Sequence, residues 1–351
     1  MIGVTQDLER MVEFEFVRAT ENAALHSMHW MGRGDKEAAD AAACDAINGM
    51  FDLVDIRGEV VIGEGIKDNA PGIFLGDRLG RWGENDPRFD IALDPIDGTS
   101  NISKGMPNSI SVMAAVLVPD GRDRSMVSIP SFYVDKLAYG PRVARSIRDG
   151  LIPAFTLDTP FGHTLALAAD ALGKRLGELV VSILDRPRNQ PYIDAVREAG
   201  ASLRLIGDGD ITAAVAPSLP DSGIDLFVGR GGAPEGILTA AALKALGGEI
   251  LLRMWPRDDE ERVALLKTHT VADLERVYHT DDLVHGDSAI FCATGISDSP
   301  MLPGVKLIGK TAITHSILMR SRSRTVRYIR AVHDLETKTI HLRSLRREEP
   351  L

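Results

Sequence analysis

The stretch "IDLFVGRGGAPEGILTAAALKALGGEI", Ile224 to Ile250, decides the fold. It opens with a short apolar, β-branched run, which reads as a buried strand. Glycines at 229, 231 and 232 form a Gly-rich loop. After "GGAPEG" a run rich in Ala and Leu reads as a helix. Glu249 and Ile250 open the next strand. The unit is therefore strand, loop, helix, strand. Moving outward, "GHTLALAADALGKRLGELVVSIL" (162–184) reads as helix then strand, and "NQPYIDAVREAGASLRLIGDGDITAAV" (189–215) as helix, strand, helix. Alternation of this kind implies an α/β fold whose mostly parallel sheet is covered by helices.

The N-terminal half is patterned differently. Residues 7–31 place Leu8, Met11, Val12, Phe16, Val17, Ala24 and Leu25 at helical spacing. "MGRGDK" (31–36) breaks that helix, and a second runs from about Glu37 to Phe51. "GEVVIGEG" (58–65), "RFDIALDPIDGT" (88–99) and "SISVMAAVLVPDGR" (109–122) read as strands ending in turns. "KLAYGP" (136–141) closes this half. Beta-like runs return at 305–310, 312–320 and 324–335. The expected division is an N-terminal α+β domain over 1–150 that binds metal, and a C-terminal α/β domain over 151–351 that contributes sugar and phosphate contacts.

Bulk properties narrow the function. Among 351 residues, 50 acids face 40 bases, a formal charge of −10. That argues against nonspecific nucleic-acid binding and against an anionic membrane surface. It leaves room for an anionic substrate if divalent cations invert the local field. Only two cysteines occur, Cys44 and Cys292, far apart and without metal-ligand spacing. Reduced buried thiols and a cytoplasmic location are expected. The N-terminus lacks the basic region and apolar run of a signal peptide, and no stretch reaches the roughly 18 apolar residues of a membrane helix.

Acids recur at element ends: Asp40, Glu64, Asp94, Asp97, Asp208, Asp210 and Glu235. Carboxylates at strand ends can converge on one crevice. In "DPID" the proline fixes φ and removes an N–H, so the turn is rigid and Asp94 and Asp97 can point one way. Oxygen ligands of this kind suit Mg²⁺ or Mn²⁺. Each position also has a plainer reading. Asp94 and Asp97 could form a solvated turn, Asp208 and Asp210 a turn and helix cap, and Glu235 a favourable charge at a helix N-terminus. Arg186 and Arg188 could be an exposed basic pair.

"DPIDGTSN" resembles the signature of the lithium-sensitive, Mg²⁺-dependent sugar-phosphatase superfamily. "WMGRGDKEAAD", "VVIGEGIKDNAP", "DRPRN", "IGDGD", "GGAPEG" and "SRTVR" resemble, in order, segments of class II fructose-1,6-bisphosphatases, the bacterial GlpX type. The resemblance covers nearly the whole chain. It implies a layered αβαβα arrangement of two sheets and helices, and hydrolysis of the 1-phosphate of fructose-1,6-bisphosphate. It implies two or three Mg²⁺ or Mn²⁺ ions held by Asp40, Glu64, Asp94, Asp97 and Glu235. Thr99, with Asp40 and assisted by Asp68, matches the group that activates water. Tyr133, Lys136, Arg186, Arg188, Asp208 and Asp210 match substrate contacts, with Lys36 and Arg320 as weaker phosphate candidates. A homo-oligomer, dimer or tetramer, is also implied. Sedoheptulose-1,7-bisphosphate, inositol phosphates and a non-catalytic phosphosugar sensor are the alternatives. The chain departs from the family pattern at Asp97 (usually Glu), Ile66 (an acid), Ala38 (Thr), Arg186 (Lys) and Asn189 (His).

Overall fold

The computed structural model describes residues 7–63 and 72–346. In chain order the strands are β1 (Arg57–Ile62), β2 (Arg78–Leu79), β3 (Arg88–Asp97), β4 (Ile110–Leu117), β5 (Tyr133–Tyr139), β6 (Val180–Leu184), β7 (Ser202–Ile206), β8 (Leu226–Gly232), β9 (Glu249–Trp255), β10 (Ala289–Gly295), β11 (Lys306–Ile308), β12 (Thr311–Arg320) and β13 (Thr325–Asp334). The helices that matter for the site are α1 (Leu8–Ser27), α2 (Lys36–Phe51), α3 (Thr99–Lys104), α4 (Pro141–Arg148), α5 (Phe161–Leu172), α6 (Gln190–Glu198), α7 (Asp210–Val215) and α8 (Ala233–Leu246). No helix among the described residues is long and apolar enough to cross a membrane.

Two sheets result. The larger has eight strands in the order β11-β12-β10-β4-β3-β1-β2, with β13 on the other edge of β12. The smaller has five, β7-β6-β8-β5-β9. Helices α1 and α2 cover one face of the large sheet through Phe16, Phe51, Ile47, Phe89 and Leu93. Phe16 meets the rings of Phe51 and Phe89 edge-on at 5.4 and 6.2 Å, a favoured aromatic geometry. Helices α7 and α8 lie between the sheets. On the outer face of the small sheet, α4, α5 and α6 bury Val143, Leu165, Ala168, Ile193 and Val196 against Leu137, Ile183 and Leu251. The layering is αβαβα, as the resemblance implied. Helix α8 shows why its sequence is alanine-rich: it is apolar on all sides because it has a sheet on each side.

The expected parallel sheet is not found. Only β1/β3, β6/β7 and β6/β8 pair in parallel; the other strand pairs among the described residues are antiparallel. The reason lies at β5. It inserts between β8 and β9 and runs antiparallel to both. The strand–helix–strand unit of 224–250 therefore crosses over an intervening strand from earlier in the chain. Strands from either side of residue 150 enter both sheets. Residues 136–141, read as closing a half, contain most of that central strand and the start of α4.

Candidate active site

Strand β3 does not end where a turn was expected. It continues through "DPID" to Asp97, and the register slips there: Asp94 faces Val112 while Asp97 faces Ile110. Three steps on β3 match two on β4, so the segment holds a one-residue bulge. Proline permits it, because Pro95 has no N–H to give the ladder. In a regular strand residues three apart face opposite sides. The bulge cancels that inversion and turns Asp94 and Asp97 to the same face. The Ile96 N–H donates to Asp94 Oδ1 at 3.1 Å. Gly98 then takes φ +91°, where an added Cβ would lie 2.5 Å from the Asn108 carbonyl oxygen. Thr99 opens α3, partly exposed at the rim.

The "IGDGD" segment is tied to this turn. The Ser100 N–H donates to Asp208 Oδ2 at 3.1 Å. Asn101 and Asn108 side chains donate to the Asp208 carbonyl oxygen at 3.2 and 2.7 Å, and Asn108 reaches Gly209 O at 2.8 Å. Asn108 holds φ +78°, a conformation asparagine tolerates better than most residues. The Ile211 N–H donates to Asp97 Oδ2 at 3.3 Å. Asp210 pairs with Lys136 Nζ at 2.8 Å, both buried, with side chains 4% and 1% exposed. Glu235 enters from the first turn of α8. Two glycines make room: a Cβ on Gly231 would come within 2.2 Å of Asp210 Oδ2, and one on Gly232 within 2.1 Å of Glu235 Oε2.

The electrostatics are lopsided. Burial pushes the Asp94 carboxyl well above the usual range, and the charges of Glu235 and Asp40 push it further. Asp97 is raised well above it too, first by burial and then by Asp94 and Asp210. Glu235 is raised by burial and by Asp210, with Lys136 opposing. Asp40, on α2, thus reaches the same field from the opposite layer. Among the described residues, Asp210 Oδ1 and Glu235 Oε2 are buried without a hydrogen-bond partner. Such atoms are costly unless a cation or donor completes them. Hard oxygen donors with unspent lone pairs fit a divalent cation such as Mg²⁺ or Mn²⁺. Among the described residues, however, no three of these side chains stand close enough to hold one ion by themselves. Glu64 and Asp68, along with Ile66, lie outside the described residues.

The other expected contacts separate into two groups. Arg186 lies 3.8 Å from Asp208. Arg188 stacks on Tyr133 with its guanidinium 4.2 Å from the ring centre, and Tyr133 stands across the ladder from Gly232. Arg186 thus borders the acidic crevice through Asp208, and Arg188 and Tyr133 stand at the Gly232 end of β5 and β8. Lys136 is buried and donates to Asp210, where it offsets that carboxylate's charge. Lys36 is exposed and lies 3.6 Å from Glu37. Arg320 is held by Asp7, Glu9 and Glu13 of the first helix region. Sequence reasoning gave no role to Asn101, Asn108, Asn189 and Arg230. Two carried a signal, Asn101 as the last letter of "DPIDGTSN" and Asn189 as a departure from the family's His.

The fold and the acidic crevice together define a layered α/β protein with a cation-seeking site. Sequence comparison carries this to a family: the chain belongs to the bacterial fructose-1,6-bisphosphatases, glpX-encoded, whose pattern matches residues 10–333. It is similar to the class 2 fructose-1,6-bisphosphatase of Haemophilus influenzae, 38% identical over 341 residues, covering 94% of this chain and 98% of the relative. It is also similar to fructose-1,6-bisphosphatase 1 class 2 of Escherichia coli K12, 36% identical over 343 residues, covering 94% and 97%. The family is one of metal-dependent phosphatases.

Proposed function

We propose that this protein hydrolyses the 1-phosphate of fructose-1,6-bisphosphate to fructose-6-phosphate and phosphate, using two or three Mg²⁺ or Mn²⁺ ions. The observation that carries the metal part is the crowding of Asp94, Asp97 and Glu235, with Asp97 buried and, among the described residues, Asp210 Oδ1 and Glu235 Oε2 buried without a hydrogen-bond partner. Membership of the family carries the substrate. Asp94, Asp97 and Glu235, with Asp40 and Glu64, hold the ions. When bound, these supply charge neutralisation and a lowered pKa for water.

The chain's own groups then divide the work. The Thr99 hydroxyl orients a water in line with the phosphorus–oxygen bond, and Asp40, assisted by Asp68, draws its proton. Water oxygen bonds to phosphorus, the bond to the sugar oxygen breaks, and that oxygen takes up a proton. Arg186, Arg188 and Tyr133 hold the distal phosphate and sugar, a role suited to fixed planar cations. Asp208 and Asp210 accept from sugar hydroxyls, and Lys136 offsets the charge of Asp210. The two cysteines are free and buried, which supports a cytoplasmic location. A homo-oligomer fits the open edge strand β13, where Tyr328 and Val332 are exposed. Light scattering of the purified protein checks that; a monomer at all concentrations overturns it.

A panel of fructose-1,6-bisphosphate, sedoheptulose-1,7-bisphosphate and inositol monophosphate, assayed for phosphate release with Mg²⁺ and Mn²⁺, tests the reading. Fructose-1,6-bisphosphate is expected to give the highest kcat/KM. A clear preference for either rival, or tight binding without turnover, overturns it.

A further inference from the structure

Arg230 and Asn189 stand outside every expected contact, yet they fix the position of Arg188. Strands β6 and β8 pair in parallel, and this brings residues 186–189 beside residue 230. Arg188 Nε donates to the Arg230 carbonyl oxygen at 2.9 Å, and Arg230 Nη1 donates back to the Arg188 carbonyl oxygen at 3.1 Å. The Arg230 N–H donates to Asn189 Oδ1 at 2.6 Å, while Asn189 Nδ2 donates to Leu184 O at 3.0 Å. Asn189 is fully buried, and a Cβ on Gly229 would press against it at 3.2 Å.

Arg230 is itself held on three sides. Its Nε donates to Asp135 Oδ1 at 2.9 Å, and its guanidinium lies 4.7 Å from the Trp255 ring centre and 5.7 Å from that of Tyr192. Arg188, by contrast, spends only Nε on the protein and rests its face on Tyr133. Among the described residues its two Nη groups have no hydrogen bond or ion pair. A guanidinium with its stem clamped, its face stacked and its fork free is prepared to take an anion in two parallel bonds.

We infer that Arg230, through a reciprocal clasp with Arg188 closed by Asn189, is a positioning residue that sets affinity for the phosphate remote from the scissile bond. This rests on the proposed sugar-bisphosphate reading. The chemistry lies at the carboxylates; the clasp acts only through Arg188. A lysine at 230 keeps a cation for Asp135 but has no planar fork to return the bond to Arg188.

The test is a double-mutant cycle on the metal-loaded enzyme with two substrates, fructose-1,6-bisphosphate and p-nitrophenyl phosphate, which has no second phosphate. Arg230→Lys is expected to raise KM for the bisphosphate about tenfold, chiefly without loss of kcat. Its kcat/KM should fall at least about fivefold more on the bisphosphate than on the monophosphate. In an Arg188→Ala background the same change should cost less than about twofold, because the group it positions is gone. Asn189→Ala should act in the same direction and keeps the test open if Arg230→Lys folds poorly. An equal loss on both substrates, or an effect that persists without Arg188, overturns the clasp. Wild-type turnover of p-nitrophenyl phosphate with none on the bisphosphate overturns the substrate reading alone. The cycle is then read on inorganic phosphate as an inhibitor, with the same expected non-additivity.

Discussion

Two clusters of acids, each part buried and part half-buried, invite comparison. Around Arg320, which is 5% exposed, stand Asp7, Glu9 and Glu13. Arg322 adds a second cation to Glu9 at 3.3 Å, and Arg327 lies 3.9 Å from Glu13. Three acids meet three arginines, and Asp7 is held below the usual carboxylate range, first by its hydrogen bond to Arg320. In the crevice, among the described residues, Asp210 pairs with Lys136 and Asp208 lies 3.8 Å from Arg186, while Asp94, Asp97 and Glu235 stand in one another's field. There Asp94, Asp97 and Glu235 are raised instead, first by burial. Balanced charge ties α1 to the sheet. Unbalanced charge costs stability until a cation arrives, and such a cost is a mark of function. The difference also explains why Arg320 is poorly placed to hold a substrate phosphate: its donors face carboxylates.

The largest effect should come from neutralising the unbalanced cluster. Asp94→Asn is expected to lower phosphate release from fructose-1,6-bisphosphate at least about 1,000-fold, a loss of several kcal/mol. The same variant should melt higher than wild type in chelator, because a buried repulsion is removed. Calorimetry in EDTA decides that point, and a lower melting temperature would count against the comparison. Breaking the balanced cluster should do the reverse. Arg320→Met leaves the buried Glu9 and Glu13 with only Arg322 and Arg327 and removes the hydrogen-bonded partner of Asp7; it should destabilise by about 3–5 kcal/mol, measured by urea unfolding. Its kcat/KM at low temperature should stay within about threefold of wild type.

Adding the cation is the next test. Mg²⁺ or Mn²⁺ at 100 times Kd should stabilise wild type by about 2.7 kcal/mol and Asp94→Asn by much less. A pH series gives the smallest effect. Asp7 has a folded pKa below its ordinary 3.8, so its contribution is fully present above that value and is lost as pH falls through the lower one. Wild type should lose stability on that acid limb more steeply than Arg320→Met, as read from urea midpoints between about pH 5 and pH 2.

Much of this was legible in the sequence. The helices, most strand positions and the acids at element ends follow from local periodicity and from glycine and proline placement. Sheet direction did not. Strand–helix–strand alternation at 224–250 carries no record that β5, from residues 133–139, would slide between its two strands. The bulge at Pro95 was readable as a turn but not as a register slip, because the slip exists only relative to β4. Arg230 gave no signal, and Asn189 none beyond its departure from the family's His, for the same reason. Their bonds span about forty residues and depend on parallel pairing of β6 with β8. Lys136 looked like a substrate contact and stands as the buried partner of Asp210, a pairing across 74 positions.

Helix α8 has a further consequence, which concerns time rather than geometry. It lies between the two sheets and is apolar on every side, so neither sheet alone can shelter it. The larger of those sheets draws strands from both ends of the chain, and the smaller from its middle. Contacts so distant in sequence close late in folding, after their loop entropy has been met. Glu235, at the head of this helix, therefore reaches its neighbours only when the whole chain has assembled. A half-finished molecule has strands and helices but no complete carboxylate set. Cation response is then a gauge of completed folding, silent until the last layer is in place.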